Sequence, residues 1–342
     1  MKKLLWLIIA VSAVSFMAGT ASAEKLLLIN GAGATFPYPL YSKWFYEYAK
    51  VDEGVNFNYQ SIGSGGGIRQ ILAQTVDFGA SDGPMTDEQL KQAPGELLHI
   101  PMTAGAVVVT YNLPKMSKVL RFSPDVVADI FLGRIKKWND PRIAKDNPGV
   151  NLPGGNIIVA HRSDGSGTTN IFTDYLSSVS DDWKTRVGKG TSVNWPVGLG
   201  GKGNEGVAGL VKQSEGAIGY VELAYAVKNN LPASDIKNKS GNFITPSIES
   251  TTAAVNGKAN SMPSDFRVSL VNPDGADAYP ISGLTWILVY KNQPDKVKGK
   301  KIVEFLRWAE TDGQKYSTDL LYAPLPESIV KQVQEKLKQI NY

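Results

Sequence analysis

The chain has 342 residues, 36 of them basic and 32 acidic, for a formal net charge of +4; this near-neutral balance leaves no electrostatic footprint for nucleic acid. With no cysteine and two histidines, disulfide staples are excluded, and a metal site would have to be built from carboxylates in loops that show no calcium pattern. A chain of this length held by its core alone is expected to form two domains.

Lys2 and Lys3, the apolar run Leu4 to Val11 and small residues ending in Ala21-Ser22-Ala23 read as a secretory signal, residues 1–23, with a mature start at Glu24. The run is too short to span a bilayer as a helix, and no later stretch is long and apolar enough. Removing the signal takes away two lysines and lowers the formal charge to +2. With no cysteine to carry a lipid, the product is expected to float free, which suits a periplasm; full secretion fits the same residues.

Leu26 to Ile29 reads as a short buried strand, broken by Asn30-Gly31-Ala32-Gly33-Ala34-Thr35-Phe36-Pro37. Leu40, Trp44 and Tyr48 then fall at four-residue steps, which predicts a helix with Pro37 near its first turn. A dinucleotide fingerprint would need a glycine where Phe36 stands. Asn56 to Ile62 alternates like a strand, and Gly63-Ser64-Gly65-Gly66-Gly67 leads into a second helix carrying Ile68, Ile71 and Leu72. No Lys-Ser or Lys-Thr follows these glycines, nor Gly200-Gly201-Lys202-Gly203, so neither is a nucleotide P-loop. Phe78 to Pro84 ends another short strand and presents Asp82, by itself an ordinary turn residue.

Ile100 to Tyr111 is a long apolar run, suited to a buried strand or one shared between domains. Ser123-Pro124 resembles a cap and first-turn proline for a helix with Val126, Val127, Ile130 and Phe131, and Gly133 to Lys137 a solvated basic face. After a strand-like run from Asn156 to Ala160, Arg162-Ser163-Asp164-Gly165-Ser166-Gly167-Thr168-Thr169 opens a helix marked by Ile171, Phe172, Tyr175, Leu176 and Val179. A helix start has unpaired backbone N–H groups and a partial positive charge, so hydroxyls, glycines and a guanidinium gathered there compose an anion site. Taken alone, the same stretch reads equally as a Ser166 cap, a glycine turn and a local Arg162–Asp164 ion pair.

Gly198 to Gly206 reads as a connecting turn with Asn204 as a cap, and the polar stretch Asn229 to Ala278 carries little information. Ile287 to Tyr290 restores a strand; Ile302 to Trp308 and Ile329 to Leu337 read as helices. Alternating strands and helices predict an α/β architecture with mostly parallel sheets, in which ligands sit beyond the carboxyl ends of the strands.

The motifs Gly-Ala-Gly-Ala-Thr-Phe-Pro at 31–37, Gly-Ser-Gly-Gly-Gly at 63–67, Asp-Phe-Gly-Ala-Ser-Asp at 77–82, Asp-Gly-Ser-Gly-Thr at 164–168 and Gly-Leu-Gly-Gly-Lys-Gly-Asn at 198–204 occur in order along the chain. Together they resemble the periplasmic phosphate-binding proteins that serve bacterial phosphate ABC transporters. The resemblance implies an α/β, two-domain periplasmic binding protein fold of type II, with the ligand in a cleft between domains joined by a hinge. Residues 24–107 plus 279–342 would form the first, discontinuous domain, and 108–278 the second. It further implies inorganic phosphate as ligand, no cofactor, no enzymatic activity, and a permease and an ATPase as partners of a periplasmic monomer. The family's contacts fall on Thr35, Phe36 through its backbone N–H, Ser64, Asp82, Arg162, Asp164, Ser166, Gly167 and Thr168. Two positions depart from relatives: Gly65, where a second serine can stand, and His161 before the arginine.

On that reading the hydroxyls of Thr35, Ser64, Ser166 and Thr168 donate to a dehydrated oxyanion, Arg162 adds a planar fork, and Asp164 holds the fork in place. Selectivity is expected from Asp82, which when ionised only accepts, and so suits a protonated phosphate but opposes sulfate. Two alternatives remain at this stage. One is an exported phosphate-ester hydrolase using Ser166, which lacks the Gly-x-Ser-x-Gly elbow and would need His99 or His161 as base. The other is a receptor for sulfate, molybdate or tungstate.

Overall fold

The computed structural model describes residues 26–114, 116, 118–259 and 261–342; the expected signal segment 1–23 and the mature start at Glu24 lie outside them. Eleven strands are present among the described residues: β1 Leu27–Gly33, β2 Val55–Ser61, β3 Phe78–Ser81, β4 Leu97–Tyr111, β5 Arg121–Phe122, β6 Ile158–Arg162, β7 Leu199–Gly201, β8 Ala217–Glu222, β9 Asp235–Lys237, β10 Phe243–Ile244 and β11 Ser282–Tyr290. Eight of them form one sheet in the order β2-β1-β3-β11-β4-β8-β6-β7, and β10-β9-β5 form a small second sheet.

The long apolar run becomes β4, whose 15 residues are all buried, as a strand covered on both faces must be. Leu97 to Ala106 pair with β11 and Val107 to Tyr111 with β8, both antiparallel. One strand therefore belongs to both halves of the sheet, and the two lobes of the fold are built on either side of it. Parallel pairing holds on the two flanks, β1 with β2 and β3, and β6 with β7 and β8. The centre is antiparallel because β11 returns from the far end of the chain and enters between β3 and β4.

β1 runs on to Gly33 rather than breaking after Ile29. Its ladder partners on both sides outweigh the weak strand propensity of glycine, and Gly31 has to be glycine because the Phe78 ring occupies the place of a Cβ. Asn204 is likewise not a cap: the helix Gly203–Gln213 begins before it, after Lys202.

Each lobe has its own aromatic core. Phe57 lies 4.5 Å from Phe305 and 5.1 Å from Phe45 in the first; Phe172 stacks on Tyr220 at 4.3 Å and meets Phe131 at 4.7 Å in the second. Burying large rings in this way contributes roughly 1.5 to 3 kcal/mol for each side chain. Among the described residues, no helix is long and apolar enough to cross a membrane.

Candidate functional site

Four strand ends feed four helix starts. β1 leads through Thr35 to the helix Tyr38–Tyr48, β2 to Ser64–Leu72, β6 to Gly167–Val179 and β7 to Gly203–Gln213. The turns are tied together: Gly33 O accepts from Ile62 N–H and Gly63 N–H at 3.0 and 2.8 Å, and Ala34 N–H donates to Ala80 O at 3.0 Å. Gly33 (φ +146°) and Gly63 (φ +84°) adopt backbone conformations that a side chain would oppose. The glycine pattern thus positions donors at the strand ends, where an open α/β sheet takes its ligand.

The two lobes meet at this point. Gly65 N–H donates to Gly165 O at 2.8 Å, Gly167 N–H to Ser64 Oγ at 3.0 Å, and Asn204 Nδ2 to Thr35 Oγ1 at 2.7 Å. Tyr225 O–H donates to Thr35 O at 2.6 Å. The departure at Gly65 has a steric counterpart, because a Cβ there would stand 3.0 Å from Gly165 Cα.

Arg162 is buried at the end of β6. Its Nε and Nη2 donate to Asp164 Oδ1 and Oδ2 at 2.8 and 2.6 Å, and Nη1 reaches Thr168 Oγ1 at 3.4 Å. This bidentate pairing fixes the plane of the fork. Asp164 also accepts from Gly203 N–H at 3.0 Å. Burial would push its carboxyl up, but Arg162 and Gly203 outweigh burial and hold it below the usual carboxylate range.

Asp82 follows β3 and is 2% exposed. Its Oδ1 accepts from Thr285 Oγ1 at 2.8 Å and its Oδ2 from Ser64 Oγ at 3.4 Å. Burial pushes its pKa up to about 7, against the opposing pull of the Thr285 hydroxyl, the Arg162 charge and Ser64. A cation and a proton-seeking carboxylate therefore face the same place, among hydroxyls and helix N-termini. Such a constellation suits a tetrahedral oxyanion that carries a proton of its own.

Thr35, Thr168, Arg162 and Asp164 are joined by hydrogen bonds through Asn204, and Asp82, Ser64 and Gly167 form a second hydrogen-bonded group that meets the first where Gly167 precedes Thr168 in the chain. Ser166 is the N-cap of its helix, its Oγ accepting from Thr169 N–H at 3.0 Å. Phe36 is fully buried, and its carbonyl accepts from Tyr322 O–H at 2.6 Å. Asn204, Thr285 and Tyr225 are the residues that sequence reasoning did not assign to this network.

The two histidines that the hydrolase alternative would need are engaged elsewhere. His161 is stacked on Trp195 with ring centroids 4.8 Å apart and its Nδ1 lies 3.0 Å from Arg162 O. His99 is buried, accepts from Met85 N–H at 3.0 Å, and is held neutral by a pKa lowered to about 4 through burial. Among the described residues no cluster of three or more histidines and carboxylates suits a metal ion.

Residues 18–312 match a family model described as a PBP superfamily domain. The chain is 49% identical to the phosphate-binding protein PstS of Pasteurella multocida (strain Pm70) over 311 residues, which covers 91% of this chain and 90% of the relative. It is 46% identical to the PstS of Haemophilus influenzae over 321 residues, covering 94% and 95%. Among solved structures, a phosphate-binding protein from Stenotrophomonas maltophilia superposes with a TM-score of 0.68 over 90% of this chain and 93% of its own, at 20% identity. That last likeness concerns the fold.

Proposed function

The chain belongs to the PBP superfamily and within it to the PstS phosphate-binding proteins, and from that membership we propose that it binds inorganic phosphate and hands it to an ABC-type importer. Phosphate would be held by Thr35, the Phe36 N–H, Ser64, Asp82, Arg162, Ser166, Gly167 and Thr168, with Asp164 orienting Arg162. The protein then acts as a free periplasmic receptor, without enzymatic activity or cofactor, delivering its ligand as a monomer to a permease energised by an ATPase. Residues 24–107 plus 279–342 form one domain and 108–278 the other, with closure at the chain crossings near Val107 and Ala278.

The observation that carries this reading is the buried Asp82 carboxylate among donors. An acceptor aimed at a fully deprotonated anion such as sulfate sets lone pairs against lone pairs, at a cost of roughly 1 to 3 kcal/mol or more in a buried site. A phosphate O–H satisfies it instead, so discrimination against sulfate is expected to grow as pH rises above about 7 and Asp82 is ionised.

The test is calorimetric titration of the ligand-stripped protein with phosphate, repeated in excess sulfate. Tight one-to-one phosphate binding, undisturbed by sulfate, is expected. Absence of phosphate binding, or competition by sulfate, overturns the assignment.

A further inference from the structure

A hydroxyl has one proton to give and two lone pairs with which to accept. Around an anion it helps only if its proton points inward, and nothing in an isolated threonine enforces that. The neighbours decide it.

Asn204 is fully buried, one residue into the helix Gly203–Gln213. Its Oδ1 accepts from Glu222 N–H at 2.9 Å, which fixes which end of the amide carries the oxygen. Both Nδ2 protons are then directed at threonine hydroxyls, Thr35 Oγ1 at 2.7 Å in one lobe and Thr168 Oγ1 at 3.1 Å in the other. Thr35 Oγ1 receives a second donor from Asn204 N–H at 3.2 Å, and Thr168 Oγ1 from Arg162 Nη1 at 3.4 Å. With two N–H groups on each oxygen, each threonine has only its own proton left to direct elsewhere.

We propose that Asn204 is a positioning residue for the phosphate site, which commits the lone pairs of Thr35 and Thr168 and so fixes both hydroxyls as donors toward the anion. The inference rests on the proposed phosphate reading. Ser64 Oγ likewise accepts two backbone N–H groups, from Asp82 at 3.1 Å and Gly167 at 3.0 Å, but its own proton reaches Asp82 Oδ2 at 3.4 Å. Asn204 differs in that one amide serves both lobes, so the hydroxyls are oriented together only when the lobes meet.

The role separates from simple support of Glu222 by a double-mutant cycle. Phosphate affinity is measured by calorimetry on the ligand-stripped wild type, Asn204→Ala, Thr35→Val/Thr168→Val and the triple variant, with thermal melting to establish folding. In the wild-type background Asn204→Ala is expected to weaken phosphate roughly tenfold to a hundredfold, the range for hydrogen bonds to a charged group. In the background lacking both hydroxyls the same substitution is expected to cost less than about twofold, because nothing remains to be oriented. An equal loss in both backgrounds, or no loss in the first, overturns the proposal and leaves Asn204 a packing residue. If Asn204→Ala fails to fold, Asn204→Ser takes its place in the same cycle. Failure of the wild type itself to bind phosphate instead overturns the underlying reading.

Discussion

Thr285 Oγ1 donates to Asp82 Oδ1 at 2.8 Å from a position 203 residues later in the chain. The pairing of β11 with β4 shifts register between Thr285 and Trp286, and an irregularity of this kind turns a strand side chain away from its regular direction. The contact favours the ionised form of a carboxyl that burial drives the other way. Thr285→Val is therefore expected to raise the Asp82 pKa further above about 7. Phosphate binding should weaken about tenfold near neutral pH, and less at higher pH, where ionisation recovers. Titration calorimetry between about pH 6 and 9, a window spanning the perturbed carboxyl, checks this; a pH-independent loss would contradict it.

Asp82→Asn tests both selectivity and stability. The amide can donate as well as accept, so phosphate affinity should fall and sulfate should begin to compete. For the ligand-free protein the sign follows from proton linkage. Asp82 holds its proton up to about 7 when folded, against 3.8 for an ordinary aspartate, so the folded state binds more protons across that window and stability falls as pH rises through it. The asparagine variant escapes this loss and should be more stable than wild type at about pH 8, by on the order of a few kcal/mol, and so melt higher. The difference should vanish near about pH 4, where the unfolded chain takes up the proton too, as followed by circular dichroism.

Arg162→Lys keeps the charge and removes the fork. A lysine ammonium cannot reproduce the paired contacts at 2.8 and 2.6 Å to Asp164. Phosphate affinity is expected to fall about a hundredfold, as suits the loss of charge-assisted hydrogen bonds. Recovery of wild-type affinity by this variant would show that charge alone matters.

Gly167→Ala addresses closure. A Cβ on Gly167 would come within 2.6 Å of the Asp82 backbone N and Cβ in the opposite lobe, so the lobes should fit the anion poorly while each folds normally. The expected result is a melting temperature close to wild type and phosphate binding weakened at least about a hundredfold, a difference of about 2.7 kcal/mol or more. A smaller loss would mean that the lobes accommodate the methyl group by a slight rotation.

The residues legible in the sequence are those whose local pattern names their role. Ser64, Asp82 and the Arg162–Thr168 stretch follow strands and accompany the glycines that such turns require. Asn204 is hidden by the same logic, since an asparagine after a glycine loop reads as a cap, whereas its partners Thr35 and Glu222 lie 169 and 18 residues away. Thr285 carries no local mark at all. It sits between Leu284 and Trp286 in a strand buried along its length, where the one hint is that a polar side chain must find a partner. Strand order is equally beyond local reading, because the insertion of β11 between β3 and β4 depends on segments far apart in the chain.

β4 has a consequence for the order in which the protein can be made. Ala106 pairs with Ser282, and Leu97 with Tyr290, so most of this strand waits for a partner near the end of the chain. At about 5 to 20 residues per second, synthesis leaves that apolar segment without β11 for on the order of ten seconds or more. The lobe that begins the polypeptide is thus the last to be completed, and until β11 arrives most of β4 presents an unpaired apolar edge, the kind of segment that is prone to aggregate.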